Sequence, residues 1–347
     1  MNKTVLGALA IAGVSALSAL QTDACTRIVY TGSDNLLIIG RSLDWRTPIP
    51  TNIYVYPSGM KKQGASDAEK GINWTSKYGA VYAVGYDGGI TEGMNEKGLV
   101  VNGLFCKGTV YNRPIDSQQP LISMSMFVAW LLDTCETTTE AVDLLKDHEF
   151  QIEGSTFDGG TVSTLHWGIT DATGVTRIIE FDQGEVKVYD TGDKLAMTND
   201  PQWPAMNAIL NYWSKIGGRN MLPGTVSSPD RCVRANYFAH HVEKTADADL
   251  GAAIARSVLV NSSVPYTYTV EGEPNLSSTQ WRSFANTRDL RYYFDIVTNP
   301  GYYYVDLRKC NLKKGAKVMK LDTSTNTMLV GDATAALQPS VPFTPMY

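Results

Sequence analysis

The β-forming segments of this chain come in clusters, and its helical segments form clusters of their own. Strict strand–helix alternation would build a parallel sheet. Clustered strands instead close on one another as antiparallel hairpins and leave the helices outside. Ile28-Val29-Tyr30 and Leu36-Leu37-Ile38-Ile39 are β-formers on either side of Gly32-Ser33-Asp34-Asn35, which is turn chemistry, so residues 25–42 read as a hairpin. More strand follows over residues 78–106, broken at Asp87-Gly88-Gly89 and Asn95-Glu96-Lys97-Gly98. Residues 162–190 alternate and turn twice, as a meander does, and residues 281–306 are rich in Tyr, Phe and Val. Helices are expected over residues 121–132, 138–146, 203–213, from Ser227-Ser228-Pro229-Asp230 to about His241, and over 247–259. The fold expected is α+β, with antiparallel sheets flanked by helices in a single domain over residues 25–347.

The first segment reads as a leader. Lys3 carries one positive charge, VLGALAIAGVSALSAL follows over residues 5–20, and Gln21-Thr22-Asp23-Ala24 ends on a small residue. That is the order of a secretory signal peptide, and its apolar run is short for a spanning helix of ~20 residues. Cleavage after Ala24 would export the protein to the periplasm or beyond and make Cys25 the N-terminus. An N-terminal anchor helix is the rival reading. A lipoprotein signal also precedes a cysteine, but it wants Leu at −3 and a small residue at −2, where Thr22 and Asp23 stand.

Charge excludes other classes. Lysine and arginine total 30 against 35 acidic residues, for a net charge of −5 with no long run of one sign. A nucleic-acid partner would need a basic stripe, and a membrane-surface protein a polybasic patch. Mean hydropathy of −0.16 excludes a multi-span membrane protein, so no stable membrane insertion is expected after cleavage. The five cysteines form no C-x-x-C pair and the histidines number four, so a structural zinc site is not expected. Cys106, Cys135, Cys232 and Cys310 read as buried small apolar residues. The G-x-S-x-G, H-E-x-x-H, P-loop and G-x-G-x-x-G signatures are absent.

Cys25 is the residue with chemistry to offer. Freed by cleavage, it would carry a thiol and an α-amine of pKa ~7.7–8.0 on one residue. The amine can take the thiol proton directly or through one water, so no histidine is needed. A hairpin centred on Ser33 and Asp34 would place Arg41 or Ser42 opposite Cys25, where a guanidinium favours the thiolate. Asp44 lies just beyond. Alternation points Arg41 and Asp44 to opposite faces, so both reach Cys25 only if the strand bends or ends between them. A strand-end surface ion pair explains the same two residues.

Ordered segments then narrow the reading. They are Cys25-Thr26-Arg27, Gly40-Arg41-Ser42-Leu43-Asp44-Trp45, Asn73 to Gly79, Glu92 to Leu99, Met197-Thr198-Asn199-Asp200-Pro201, Met221-Leu222-Pro223-Gly224 with Asp230-Arg231, and Ser278 to Arg282. Together they resemble the choloylglycine hydrolase / penicillin V acylase family, in its Gram-negative branch. The resemblance implies an N-terminal-nucleophile hydrolase with an αββα sandwich, cleaving a linear amide C–N bond of a small molecule without metal or organic cofactor. It implies Cys25 as nucleophile, Arg41 and Asp44 beside it, Asn199 positioning the amine and the oxyanion, and Arg231 completing the polar network. It also implies a homotetramer.

One position departs from the family pattern. Many bile-salt-cleaving relatives carry Asn where this chain has Phe105, and phenylalanine has no donor for an oxyanion, so a backbone N–H must serve. Phe105, Leu43 and Trp45 are candidate walls of an acyl pocket; ordinary core packing accounts for them equally. The substrate expected is of the penicillin V type. Conjugated bile salts or N-acyl-homoserine lactones are the alternatives, and an inactive secreted or lipid-anchored binding protein is the reading from another class.

Overall fold

A computed structural model describes residues 24–111, 119–157, 161–271, 277–325 and 328–347. The expected leader lies outside them, apart from Ala24.

Two large sheets pack face to face. The first has seven strands and holds β1 (Ala24–Thr31) and β2 (Leu37–Trp45) at its heart. The second has nine and is built around β3 (Thr51–Tyr56), β4 (Ala80–Gly85), β5 (Gly89–Asn95), β6 (Val100–Phe105), β7 (Leu165–Thr170), β8 (Thr176–Asp182) and β9 (Glu185–Asp190). The chain then returns to the first sheet as β10 (Ala196–Met197), β11 (Ser278–Asn286), β12 (Arg291–Ile296) and β13 (Tyr302–Asp306). Both sheets are antiparallel, except where the edge strand Gly331–Asp332 joins β13. Helices α1 (Met124–Thr134) and α2 (Thr138–Asp147) belong to the outer side of the second sheet. Helices α3 (Trp203–Ile216), α4 (Ser228–His241) and α5 (Ala248–Asn261) cover the first. The result is the expected αββα sandwich.

The alternation of β1 and β2 makes those layers. Val29, Leu37, Ile39 and Leu43 face the second sheet and pack with Val81, Met94 and Val100, while Ile28, Tyr30 and Ile38 face the helices. Gly40 stands where α5 comes close: a Cβ there would lie 2.9 Å from Leu259 Cδ1. Among the helices, the expected 121–132 segment starts later. Leu121–Ser123 pair instead with Gln151–Glu153, and Ser123 caps α1 by accepting from Ser125 N–H. Asp247 caps α5 from the position the sequence suggests.

The hairpin register also differs from expectation. Asp34 and Asn35 both take positive φ, and Gly32 N–H bonds Leu36 O, so the turn centres on Asp34. Cys25 therefore pairs with Leu43, not with Arg41 or Ser42.

Candidate active site

The site forms where β1 enters the first sheet. Cys25 is almost fully buried, at 4% exposure. β10 pairs with β1 through Arg27–Met197, and continuing that ladder brings Asn199 alongside Cys25. Cys25 N–H donates to Asn199 Oδ1 at 2.6 Å. Asn199 Nδ2 donates to Phe105 O at 2.8 Å, tying β10 to the end of β6.

Arg41 and Arg231 approach Cys25 from opposite faces of the hairpin. Arg41 Nη2 donates to Cys25 Sγ at 3.5 Å and to Gly103 O at 2.9 Å. Its Nη1 lies 3.3 Å from Glu92 Oε2, and its guanidinium carbon sits 4.9 Å over the Trp281 ring. Arg231 enters from α4, on the helix side. Its Nη1 donates to Cys25 O and Thr26 Oγ1, both at 2.7 Å, and its Nη2 to Asn199 Oδ1 at 2.8 Å. Burial pulls the Arg231 pKa down, against the opposing charge of Asp44.

Asp44 does not reach the sulfur. It pairs in register with Ala24, with Oδ2 4.0 Å from Arg231 Nη1 and 3.4 Å from Ser42 Oγ. Its Oδ1 is buried without a hydrogen-bond partner. Burial raises the carboxyl pKa, against the nearby Arg231. Arg41 and Asp44 thus keep the opposite faces that alternation dictates, and they bracket the two ends of Cys25: sulfur on one side, backbone nitrogen on the other. A β-bulge between Thr279 and Trp281 of β11 lies opposite this stretch of β2 and bends the sheet beside the site.

A cleft opens over Cys25 Sγ, enclosing about 710 Å3 of space in part open to solvent. Leu43, Trp45 and Phe105 all line it, with Tyr86, Met124 and Leu165. Trp45 and Phe105 meet edge to face with ring centres 5.7 Å apart. The cleft is mainly apolar, with Arg41, Thr91, Ser125 and Ser163 as its polar lining beside Cys25, which suits an apolar acyl group held by a few polar atoms.

Glu92 is the residue that sequence reading passed over. It sits in a segment quoted for the family resemblance, yet that segment reads as strand and turn alone. In the structure Glu92 is fully buried on β5; Oε1 accepts from Tyr292 Oη at 2.6 Å and from Ser283 Oγ. A signal existed: Glu92 stands among Gly89, Ile90, Gly93 and Met94 in a strand buried along nearly its whole length, and a carboxylate there requires a partner. Asn95, in the same segment, is structural as expected. It bonds the carbonyls of Leu132 and Cys135 and its own turn.

All five cysteines are unpaired. Cys106, Cys135 and Cys232 are buried as expected; Cys310 is half-buried instead, near the surface after β13. Burial pushes the thiols of Cys135, Cys232 and Cys310 up, to about 11, 12 and 11. Among the described residues no cluster of three or more His, Cys, Asp or Glu side chains is placed to hold a metal ion. No helix among them is long and apolar enough to cross a membrane.

Two antiparallel sheets between helical layers, with a cysteine at the start of an inner strand, define the N-terminal-nucleophile hydrolase class of fold. Residues 25–328 match the linear amide C–N hydrolases of the choloylglycine hydrolase family, and the chain belongs to that family. It is an amidohydrolase acting on linear amides. It is 32% identical to a penicillin V acylase of Pectobacterium atrosepticum, over 98% of this chain and 96% of that one. A bile salt hydrolase/transferase of Clostridium perfringens is 25% identical over 83% and 94% of the two chains. The structure of a penicillin V acylase from Agrobacterium tumefaciens superposes with a TM-score of 0.85 at 36% identity, covering 92% of this chain and 99% of that one.

Proposed function

We propose that this protein is an exported penicillin V acylase-type enzyme whose nucleophile is Cys25, unmasked by removal of residues 1–24. The observation that carries the reading is the treatment of Cys25 itself. Its nitrogen rests on Asn199 and its sulfur lies under Arg41 at the closed end of an apolar cleft. Asp44 adds support: it pairs in register with Ala24, which cleavage would remove, and its Oδ1 is buried without a hydrogen-bond partner.

In the reaction the α-amine takes the thiol proton and the sulfur attacks the amide carbonyl. Asn199 Nδ2 carries a second hydrogen besides the one given to Phe105 O, and with a backbone N–H it meets the oxyanion. The C–N bond then breaks, the leaving amine takes the proton from the α-ammonium, and a thioester remains. Water attacks the thioester with the α-amine as base, releasing the acid. Arg41 steadies the sulfur, while Arg231 fixes the Cys25 carbonyl and Asn199. The aromatic walls Trp45 and Phe105 suit a planar apolar acyl group, and the similarity to penicillin V acylases points the same way. Conjugated bile salts are the second reading, favoured by the similarity to the bile salt hydrolase/transferase. A homotetramer is the assembly we infer from the family resemblance, and sedimentation velocity reads it.

The test uses processed protein, verified by mass to begin at Cys25. Penicillin V, glycocholate, taurocholate and a long-chain acyl-homoserine lactone are compared as kcat/KM. A preference of about tenfold, ~1.4 kcal/mol of transition-state binding, assigns the substrate class. Cys25→Ala is expected to be inert, and wild-type turnover by that variant would sink the nucleophile assignment.

A further inference from the structure

Three titratable side chains that this chemistry does not use are packed together beneath the Asn199 loop. His166 on β7, Glu180 on β8 and Cys106 just after β6 are all buried. His166 Nδ1 lies 3.0 Å from Glu180 Oε1, and Nε2 lies 2.8 Å from the carbonyl oxygen of Thr198. Both partners are acceptors, so a ring bonded to both carries a hydrogen on each nitrogen and is an imidazolium. Glu180 Oε1 also accepts from the N–H of Trp203, the first residue of α3, at 2.8 Å, which fixes the carboxylate from a second side.

The other titratable groups facing the pair come from four directions. The Cys106 sulfur stands beside His166 and lies 3.8 Å from Asp200 Oδ1. Cys232 of α4 stands near Thr198, and Tyr189 of β9 near Glu180. Lys187, opposite Glu180 in the ladder, turns away to Glu185. Burial alone pulls the imidazole pKa down. Cys106 and Glu180 outweigh it and hold the ring up, at about 10.

Thr198 directly precedes Asn199, and Asp200 directly follows it. Asp200 accepts from the N–H groups of Lys107 and Gly108, each at 3.0 Å. Asn199 is therefore clamped through both chain neighbours: by a cation on one side and by the end of β6 on the other.

We propose that His166, kept cationic by Glu180, is a positioning residue that fixes the Thr198 carbonyl and so aims the Asn199 side chain at Cys25. Loss of the proton leaves Nδ1–H with Glu180 and turns a bare Nε2 lone pair towards the Thr198 oxygen, which repels it. The Asn199 side chain then loses its aim.

The proposal rests on the acylase reading for its rate measurement. Wild type, Glu180→Gln, His166→Gln and His166→Phe are assayed for kcat and KM from acid to about pH 10.5. Rates are scaled to the fraction of Cys25 alkylated, and melting temperature is followed in parallel. His166→Phe is expected to lower kcat about tenfold or more with little change in KM, since small misplacements of catalytic groups carry that cost. His166→Gln, which keeps an N–H for Thr198 O, recovers part of the loss. Glu180→Gln removes the charge that holds the proton, so its alkaline limb in kcat moves to lower pH by about one unit or more. A purely structural role would lower melting temperature and active fraction but leave the scaled pH profiles superimposed, and that result overturns the proposal. So does a folded His166→Gln no better than His166→Phe. Cys25→Ala runs alongside: turnover there rejects the nucleophile reading and leaves the His166 question to the pH profiles.

Discussion

Two buried arginine–carboxylate pairs meet at Cys25 and are built differently. In the first, Arg41 Nη1 and Glu92 Oε2 make an ion contact at 3.3 Å without a hydrogen bond, while Glu92 Oε1 accepts from Tyr292 and Ser283. Arg41 is spread over Cys25 Sγ, Gly103 O and the Trp281 face, with Nε and Nη1 lacking a hydrogen-bond acceptor. In the second, Arg231 and Asp44 stand 4.0 Å apart, Arg231 gives its close bonds to Cys25 O, Thr26 and Asn199, and Asp44 keeps a buried oxygen bare. A buried carboxylate is tolerated when its lone pairs are filled. The first pair is in the closer ion contact and holds its charge beside the sulfur. The second is one cation short, beside the bond that leader removal would cut.

The strongest way to break this comparison is to withhold that cation. A chain begun at Ala24, verified by mass, has an amide nitrogen on Cys25 where the processed chain has an amine. Its turnover is expected to fall roughly 10²- to 10⁴-fold, the usual worth of a positioned base, while its fold persists. Full activity in that form would remove both the amine's role and the reason for Asp44's vacancy.

Next comes the Arg41–Glu92 pair. Glu92→Gln leaves Arg41 buried without its counter-charge, and breaking such a pair costs about 3–5 kcal/mol. Denaturant unfolding should show a lower midpoint at unchanged slope. If Glu92→Gln is neutral, the Arg41 charge is held by the Trp281 face and Gly103 O alone.

The incomplete pair should announce itself as a pH dependence. In the chain that keeps Ala24, burial raises the Asp44 pKa above its unfolded value, so the folded state binds the extra proton. Stability then falls as pH rises from about 4 through the raised pKa, with a slope of at most ~1.4 kcal/mol per pH unit. Asp44→Asn should flatten that slope in the Ala24 form. In the processed form the ammonium supplies a partner, so the slope should shrink or reverse even with Asp44 intact. Identical slopes in the two forms would mean that Asp44 does not meet the new N-terminus.

How much of this was legible in the sequence follows from contact range. Cys25, Arg41 and Asp44 share one hairpin, so turn chemistry alone brought them near one another, and the error of register came from a turn that centres on Asp34. Asn199 and Arg231 reach Cys25 across 174 and 206 residues, and no local pattern encodes such pairings. Only resemblance to a family placed them. Glu92 was readable as a charge within an otherwise uncharged strand, which needs a partner once buried, but its partners lay in another sheet. The His166–Glu180 pair is a cross-strand contact within a meander the sequence did show, yet its target, Thr198, is again long-range.

The smallest effect concerns the cleft wall. Phe105 closes one side against Trp45, and its carbonyl holds Asn199. Phe105→Leu keeps that carbonyl and removes only the aromatic contact. For an aromatic acyl amide, kcat/KM should fall by about 0.5–1.5 kcal/mol, roughly two- to tenfold, the usual worth of one aromatic pair. The loss should appear in KM, because the wall meets the acyl group equally in the ground and transition states. Alkylation of Cys25 by a small reagent should proceed at the wild-type rate, since neither Arg41 nor Asn199 has moved. A fall in kcat or in alkylation rate would show that the Phe105 ring supports the β6 end that carries Asn199. Wall and polar cradle would then be one unit.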